Sequence, residues 1–320
     1  MPRVALLVEP GATSSSITVT LDMFRIAGRF DPADPFQVDA CSSQGGTVPL
    51  TSGLSLQTVP LPKRLGTYDA VIIPGFFAVE TRDLLAQLTS AWQPAIACLK
   101  RSTAVPLVAA SCYGTFVMAE SGLLDGHAAT TTWWQQVLFA QRYPQVRLNA
   151  GEGLVDDASV VTAGAMTAHA DLSLHLLRRL KGHTLARQVA SIMLVDEGRA
   201  SQRPFMTLQR VFNDPLADPA VAWMEAHFAE SCTGSALAAA LHVSYRTLHR
   251  RFRAVTGMAP LAYLQTLRIE AAKTMIEETR MSVEQIAIKV GYEDSSSFRR
   301  LFSRLTTVTP TEYRRRFRRE

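Results

Sequence analysis

Residues 235–263 read SALAAALHVSYRTLHRRFRAVTGMAPLAY, and residues 282–313 read SVEQIAIKVGYEDSSSFRRLFSRLTTVTPTEY. The two stretches are one module written twice. Leu248, Phe252, Pro260 and Tyr263 recur fifty positions on as Phe298, Phe302, Pro310 and Tyr313, while Ser235 and Val243 recur forty-seven positions on as Ser282 and Val290. A spacing shared over so many landmarks marks a duplicated supersecondary unit.

Each copy predicts two short helices joined by a turn. In the first, Ser235 to Leu241 forms one helix, Ser244 is an N-cap, and Tyr245 to Val255 forms the second helix, ended by Gly257. On that second helix Leu248, Phe252 and Val255 share one face, and Arg246, His249, Arg250 and Arg253 lie on the other. In the second copy Ser282 and Gln285 have capping-box spacing, and Gly291 sits in the turn. The helix from Ser295 to Leu305 turns Phe298, Phe302 and Leu305 inward and Ser296, Arg299 and Arg300 outward. One basic stripe is usually a solvated surface, but the same two-faced plan repeated fits two helices built to lie in DNA major grooves. Between the copies, Leu261 to Glu278 predicts a long helix that fixes their separation. Thr309-Pro310-Thr311-Glu312 is a helix start with N-cap, proline at N1 and Glu at N3. That helix ends in the run Arg314 to Arg319, suited to phosphates or solvent rather than base edges.

Charge points the same way. The 320-residue chain carries 33 Lys+Arg against 28 Asp+Glu. Met1 to Arg203 holds 16 of each sign, and Pro204 to Glu320 holds 17 basic against 12 acidic residues, so the whole excess falls in the C-terminal third. A basic region beside a neutral one implies a polyanionic partner for the former. No apolar run reaches the roughly 18–20 residues of a membrane span, and the N-terminus lacks the plan of a signal peptide. The four cysteines, Cys41, Cys98, Cys112 and Cys232, have no metal-ligand spacing. A cytoplasmic protein with free thiols, no metal and no cofactor is expected.

The N-terminal two-thirds has a different rhythm. Val4 to Val8, Tyr68 to Ile73, Val105 to Ala110 and Val160 to Ala163 are apolar runs of the kind buried on both faces of a sheet, with Phe36 to Ala40 a further strand. Helical stretches fall near Thr18 to Ala27, Thr81 to Lys100 and Ala168 to Leu180. Alternation of this kind predicts an α/β domain, a parallel-sheet sandwich of flavodoxin-like type over residues 1–195. Residues 196–218, with Gly198, Pro204 and Pro215, predict a linker, and residues 219–320 an all-α domain with two helix-turn-helix units.

Ala110-Ser111-Cys112-Tyr113-Gly114 joins a buried strand to a helix, with small residues two positions either side of the cysteine, as a tight elbow requires. A helix N-terminus at that point would lower the thiol pKa and offer N–H groups to an anion. The alternative is a buried structural thiol.

Residues 1–195 resemble the ThiJ/PfpI branch of the class I glutamine amidotransferase-like superfamily. The resemblance rests on Pro10-Gly11, on Ile73-Pro74-Gly75 after the third expected strand, on the elbow, on Gly122 to Thr131, and on Val161-Thr162-Ala163-Gly164. It implies that the elbow cysteine pairs with a histidine just after the Ala-Thr-Thr run and with an acid in the loop after the first strand. Here those positions are Thr132, followed by Trp133 and Trp134, and Ser16 at the end of Thr13-Ser14-Ser15-Ser16. A thiol nucleophile needs a base and a proton donor, so a pocket that binds without catalysing is expected, with Gly11, Ser16, Gly75, Phe76, Cys112, Tyr113, Thr132 and Trp133 as its candidate lining. The N–H groups of Gly75 and Cys112 would hold a carboxylate or carbonyl oxygen. The competing enzyme, an amidase or hydratase fused to a DNA-binding domain, requires a displaced base, His127 or His169.

The region from Pro219 to Phe317 resembles the AraC/XylS-type transcriptional regulators, through Ile286-Ala287, Val290-Gly291-Tyr292, Ser297-Phe298, Phe302, Thr309-Pro310 and Tyr313. This resemblance implies a transcription regulator, mostly an activator, that contacts double-stranded DNA and RNA polymerase, answers a small-molecule effector, and often dimerises through its N-terminal domain. By matching positions it makes Arg246, His249, Arg250, Ser295, Ser296, Arg299 and Arg300 the candidate base readers.

Overall fold

The computed structural model describes residues 1–102, 105–196, 201–208, 210 and 212–318. Gly198 of the expected linker and Arg319 of the terminal run lie outside the described residues. The chain divides into two compact units, Met1–Gln202 and Arg203–Glu320. The expected linker of residues 196–218 is thus shared out: Ser201 bridges to Glu152 in the first unit, while residues 203–205 form a 3₁₀ turn of the second.

The first unit is built on an eight-stranded sheet. Its strands are β1 (Arg3–Leu7), β2 (Gln37–Ser42), β3 (Gly46–Pro49), β4 (Ser55–Pro60), β5 (Ala70–Ile73) and β6 (Val108–Ser111); β7 (Ala128–Ala129) and β8 (Arg147–Leu148) make a separate small pair; β9 (Leu154–Asp157) and β10 (Val160–Ala163) complete the large sheet. The order is β3-β4-β2-β1-β5-β6-β10-β9, parallel except for β3 and β9 at the two edges. β5, β6 and β10 are buried at every residue and β1 at all but Arg3, which requires cover on both faces. One helical group, α1 (Ser14–Phe30), α6 (Ala168–Lys181) and α7 (His183–Met193), packs together; α2 (Thr81–Thr89), α3 (Gln93–Arg101) and α4 (Gly114–Glu120) form another. A short α5 (Gln136–Arg142) follows β7.

Three expectations change here. The hairpin β3–β4 was not anticipated, because edge strands carry polar and exposed residues instead of an apolar run; Ala70–Ile73 is therefore the fifth strand and not the third. The stretch Thr81 to Lys100 is two helices, since Pro94 in the first turn of α3 cannot supply an N–H to a preceding turn. Helix α1 begins at Ser14, so Ser14 to Ser16 form its first turn and not a loop.

The second unit is all helical: α8 (Ala217–His227), α9 (Gly234–Ala240), α10 (Tyr245–Thr256), α11 (Pro260–Glu278), α12 (Val283–Lys289), α13 (Ser295–Thr306) and α14 (Pro310–Phe317). It has two cores, one around Leu248, Phe252 and Tyr263, the other around Phe298, Phe302 and Tyr313. The repeat seen in the sequence persists in the packing. Phe252 and Tyr263 meet edge to face at 5.3 Å, and Phe302 and Tyr313 at 5.5 Å. Thr256 Oγ1 donates to the Phe252 carbonyl at 2.8 Å, and Thr306 Oγ1 to the Phe302 carbonyl at 2.8 Å. The 19-residue α11, about 28 Å long at 1.5 Å per residue, joins the copies. Arg268 on α11 donates to the carbonyls of Phe228, Glu230 and Gly291, fixing α11 against the turn of the second copy.

Candidate functional site

In the first helix-turn-helix, α9 and α10, Thr233 accepts the Ala236 N–H and Ser244 accepts the Thr247 N–H. Each side chain satisfies an otherwise unpaired donor of a helix start. Gly257 closes α10 in the left-handed region at φ 74°. Leu248, Phe252 and Thr256 are buried on one side, and Arg246, Arg250 and Arg253 are exposed on the other, with His249 half-buried. Arg251 is exposed too, but it lies more than a quarter turn round the helix from Arg250 and acts on the Asp214 carboxylate instead. From Gly234 to Thr256 there is no carboxylate.

In the second helix-turn-helix, α12 and α13, the Ser282–Gln285 capping box is closed, with Gln285 N–H to Ser282 Oγ at 3.1 Å and Ser282 N–H to Gln285 Oε1 at 2.9 Å. Asp294 caps α13 by accepting the Ser297 hydroxyl at 2.7 Å and the N–H groups of Ser296 and Ser297, each at 2.9 Å, and these donors, the hydroxyl first, hold its carboxyl down at about 2. The outward residues are more engaged than those of α10. Arg299 pairs with Glu284 of α12, and Arg300 donates to Ser297 Oγ at 2.8 Å. Ser296 and Arg300 are exposed, and Ser295 and Arg299 half-buried. Leu301 joins Phe298 and Phe302 in the core, an inward position the sequence reading missed.

In the first unit the elbow is as tight as its sequence implied. Cys112 takes a left-handed backbone, φ 52°, a conformation costing about 1–3 kcal/mol for a residue with a side chain. A methyl group at Gly114 would lie 2.6 Å from the Ile73 carbonyl oxygen, and one at Gly75 would lie 2.9 Å from Cys112 Cβ. The Ile73-Pro74-Gly75 turn and the elbow interlock, which is why both need glycine.

The chemistry of the elbow differs from the expectation of an activated thiol. Cys112 is buried, and burial pushes its thiol up to about 12, opposed only by the Tyr113 N–H. The cysteine is therefore a neutral thiol at physiological pH. Helix α4 has only seven residues, and its field does not offset the loss of water. The Cys112 N–H is also spoken for: it donates to Gly164 O at 2.9 Å and Ala163 O at 3.2 Å, so it is not free to hold an incoming oxygen.

Neither histidine replaces the missing base. His169 is buried between Ser111 Oγ, 2.7 Å from Nδ1, and Thr20 Oγ1, 2.6 Å from Nε2; burial pulls its pKa down to about 4, keeping it neutral. His127 lies 3.5 Å from Asp157, a carboxylate it shares with Arg147.

Each remaining candidate has its own surroundings. Phe76 stacks against Tyr113 at 5.6 Å and Trp92 at 5.3 Å. The Tyr113 hydroxyl accepts Trp134 Nε1–H at 2.9 Å, and Trp134 meets Trp133 edge to face. Gly11, at φ +82°, donates to Pro49 O and accepts from the Phe77 N–H. Ser16 and Thr132 stand at the two positions expected to hold acid and base. Both are buried, and both keep a hydroxyl without a hydrogen-bond partner. Such a group costs roughly 1–3 kcal/mol if left unsatisfied. Trp134 and Thr13, whose Oγ1 lies 3.5 Å from a methyl built on Gly75, were not singled out from sequence. The Trp133-Trp134 doublet was the available signal for the first.

An open cleft of about 450 Å³ lies elsewhere, lined by residues including Glu120, Arg142 and Tyr143. Within it Glu120 accepts from both Arg142 and Tyr143, and it shares no residue with the elbow.

Comparison with known proteins bears on both units. Residues 2–179 match the DJ-1/PfpI family, and residues 237–316 match a family described as a helix-turn-helix domain. The HTH-type transcriptional regulator CdhR of Pseudomonas aeruginosa is 28% identical over 312 residues, covering 96% of this chain and 90% of the relative. The HTH-type transcriptional activator RhaS of an Enterobacter species is 38% identical over 102 residues, 32% of this chain and 37% of that protein. Among solved structures, Drosophila melanogaster DJ-1beta aligns with a TM-score of 0.50 at 18% identity over 61% of this chain and 98% of that one.

Proposed function

Because the chain belongs to the DJ-1/PfpI family through more than half its length and carries a helix-turn-helix domain, we propose that it is a DNA-binding transcription regulator whose first unit senses a small molecule without catalysis. The observation that carries the regulator reading is the outer face of α10, where Arg246, Arg250 and Arg253 stand exposed on a helix without a carboxylate, opposite a packed apolar face. An arginine on a major-groove helix reads guanine through two parallel hydrogen bonds, and a neighbouring arginine neutralises phosphate. Arg246, His249, Arg250 and Arg253 are proposed as contacts of the first reader, and Ser295, Ser296, Arg299 and Arg300 as contacts of the second.

The proposed sensing site lies at the elbow, with Gly11, Ser16, Gly75, Phe76, Cys112, Tyr113, Thr132 and Trp133 as its lining. A neutral thiol, two unpartnered hydroxyls and an aromatic wall favour binding over turnover. Most of the lining is buried, so an effector enters only when the surrounding structure opens. Binding regulates DNA only if the effector has different affinity for two states of the protein. The protein partners in this reading are RNA polymerase, in keeping with an activator among the relatives of the C-terminal region, and a second copy of the chain through the first unit. No helix of the described residues is long and apolar enough to cross a membrane, in keeping with action on DNA in the cytoplasm.

Genome-wide footprinting tests the regulator reading. Discrete protected sites, lost in Arg250→Ala, support it; uniform coverage without site preference overturns it. Alkylation of Cys112 tests the sensing reading: slow reaction at neutral pH is expected, and a fast-reacting thiol accompanied by substrate turnover would replace the sensor with an enzyme.

A further inference from the structure

The two cores of the second unit share α11. Tyr263, Leu264 and Leu267 in its first half pack into the core of the first copy, and Ile269, Ala272 and Ile276 in its second half pack into the core of the second. Long helices bend, so a helix that passes alone between two bodies does not by itself fix the angle between them. For two groove readers that angle matters. With about 10 base pairs per turn, each base pair rotates the groove by about 34–36°. An error of that size between α10 and α13 turns the second reader from base edges to backbone.

A second connection closes beside the helix. Arg268, at the middle of α11, is half-buried and spends all three guanidinium nitrogens on three different carbonyls. Nε donates to Phe228 O at 2.7 Å, Nη2 to Glu230 O at 2.7 Å and Nη1 to Gly291 O at 3.1 Å. The guanidinium also lies 5.3 Å from the centre of the Tyr292 ring. Phe228 to Glu230 leave the end of α8, whose Val221 and Met224 are packed in the first core. Gly291 and Tyr292 form the turn of the second copy, and the Tyr292 ring meets Phe298 of α13 at 5.7 Å. Carbonyls from both copies' surroundings thus meet on one rigid, planar donor.

The two segments also touch directly. Gly291 stands at φ +85°, and a methyl group there would lie 2.7 Å from the Ala229 carbonyl oxygen. Among the described residues Phe228 is the one hydrophobic side chain that packs against both cores. Apolar contact alone is non-directional. Three directed hydrogen bonds add what apolar contact lacks, a set angle between the bodies they join.

We propose that Arg268 is a specificity-determining residue. By clamping residues 228–230 to the turn at Gly291 it sets the angle between α10 and α13, and so the number of base pairs the protein accepts between its two half-sites. Arg268 is a positioning residue, acting through the two readers. The proposal rests on the reading of α10 and α13 as those readers.

The test uses the full chain. Duplexes are selected by the wild type from a random pool, and the two half-sites are mapped by base substitution. Binding is then measured on duplexes with one base pair added or removed between the half-sites. Arg268→Met keeps the length of the side chain and removes every donor. One added or removed base pair is expected to weaken wild-type binding about tenfold or more and Arg268→Met binding about threefold or less. Base preference within each half-site is expected to be the same in both proteins, a pattern that general loss of stability does not produce. A folded Arg268→Met chain that keeps the wild-type spacing penalty overturns the proposal. Hydrogen exchange in α10 and α13 reports the fold. Should Arg268→Met lose protection there, Arg268→Lys takes its place, since it keeps the charge but cannot span three carbonyls; its spacing penalty is expected to fall below that of the wild type, and an unchanged penalty overturns the proposal equally. If both variants lose protection, Arg268 holds the cores themselves and the proposal falls. Wild-type binding that ignores spacing removes the two-reader reading, whereas a wild-type penalty preserved in the variants refutes the clamp alone.

Discussion

The two helix-turn-helix copies share a skeleton and differ in how they meet solvent. Both bury a Phe and a Tyr in edge-to-face contact, and both end the second helix with a threonine hydroxyl folded back on a phenylalanine carbonyl. Their outer faces diverge. Residues 234–256 hold four arginines and no acid, whereas residues 282–306 hold Lys289, Arg299, Arg300 and Arg304 against Glu284, Glu293 and Asp294. The first copy starts its reader with the neutral cap Ser244 and the second with the charged cap Asp294. Duplication conserves what packing requires and leaves the groove face free to diverge, because a core position answers to fixed neighbours and a surface position answers to whatever docks there. The arginines of the first copy have no acid on their own helices, whereas Arg299 of the second is held by Glu284.

The comparison is broken most forcefully through the cores. Phe252→Ala and Phe302→Ala each delete a fully buried ring, at a cost of about 3–5 kcal/mol. Because each ring belongs to its own cluster, hydrogen exchange in Phe302→Ala is expected to rise in α12 to α14 and to stay near wild type in α9 and α10. Equal loss of protection in both copies would make them one cooperative unit.

Next come the readers. Arg250→Ala is expected to weaken binding to a selected site by roughly 1–3 kcal/mol and to relax preference at one base pair. Arg300→Ala, whose side chain already donates to Ser297, is expected to cost less and to do so on all sequences alike. Binding measured on matched and mismatched duplexes separates the two. If Arg250→Ala weakens all duplexes uniformly, Arg250 belongs on a phosphate.

The second unit was the more legible from sequence because its signals are local. Caps such as Ser244, Ser282 and Thr309 sit within three residues of what they bond, and 3.6-residue periodicity marks the inward faces. In the first unit the apolar strands β1, β5, β6 and β10 were legible for the same reason, but β3, β4, β7, β8 and β9 were not, since a short or edge strand has no apolar run to betray it. The candidate site divides along the same line. Gly75 and Cys112 announce themselves by a turn and an elbow. The thiol's protonation does not, since it depends on burial by residues such as Phe76, thirty-six positions away, and on Gly164, whose carbonyl takes the Cys112 N–H.

A smaller effect sharpens the contrast at the ends of the reader helices. Gly257 ends α10 in the left-handed region without penalty, while Thr307 ends α13 there at φ 64°. A β-branched residue in that conformation costs about 1–2 kcal/mol, partly offset by the bond from Thr307 Oγ1 to the Thr306 carbonyl at 2.6 Å. Thr307→Gly is expected to stabilise the second copy by roughly 0.5–1 kcal/mol, seen as a higher midpoint in urea with unchanged slope. A lower midpoint would mean that the hydroxyl bond outweighs the strain.

The smallest expected effect addresses the acid that sets the two faces apart. Glu284 holds Arg299 in an ion pair exposed to solvent, and its carboxyl is kept below the usual range first by a bond to its own backbone N–H and then by Arg299. An exposed pair contributes little to stability, so its consequence lies in what it does to an approaching duplex. A phosphate that takes Arg299 must displace a carboxylate and then sit beside it, whereas a guanine that binds both arms of the guanidinium returns more for the same displacement. Glu284→Gln is therefore expected to leave folding stability unchanged, to tighten binding to random duplex a few-fold, and to steepen the salt dependence by about one released counterion. Site preference should fall in step, because the gain goes to every sequence. Arg299→Ala in the same background should erase the gain; if it does not, the acid acts through simple repulsion of the duplex and not by holding Arg299.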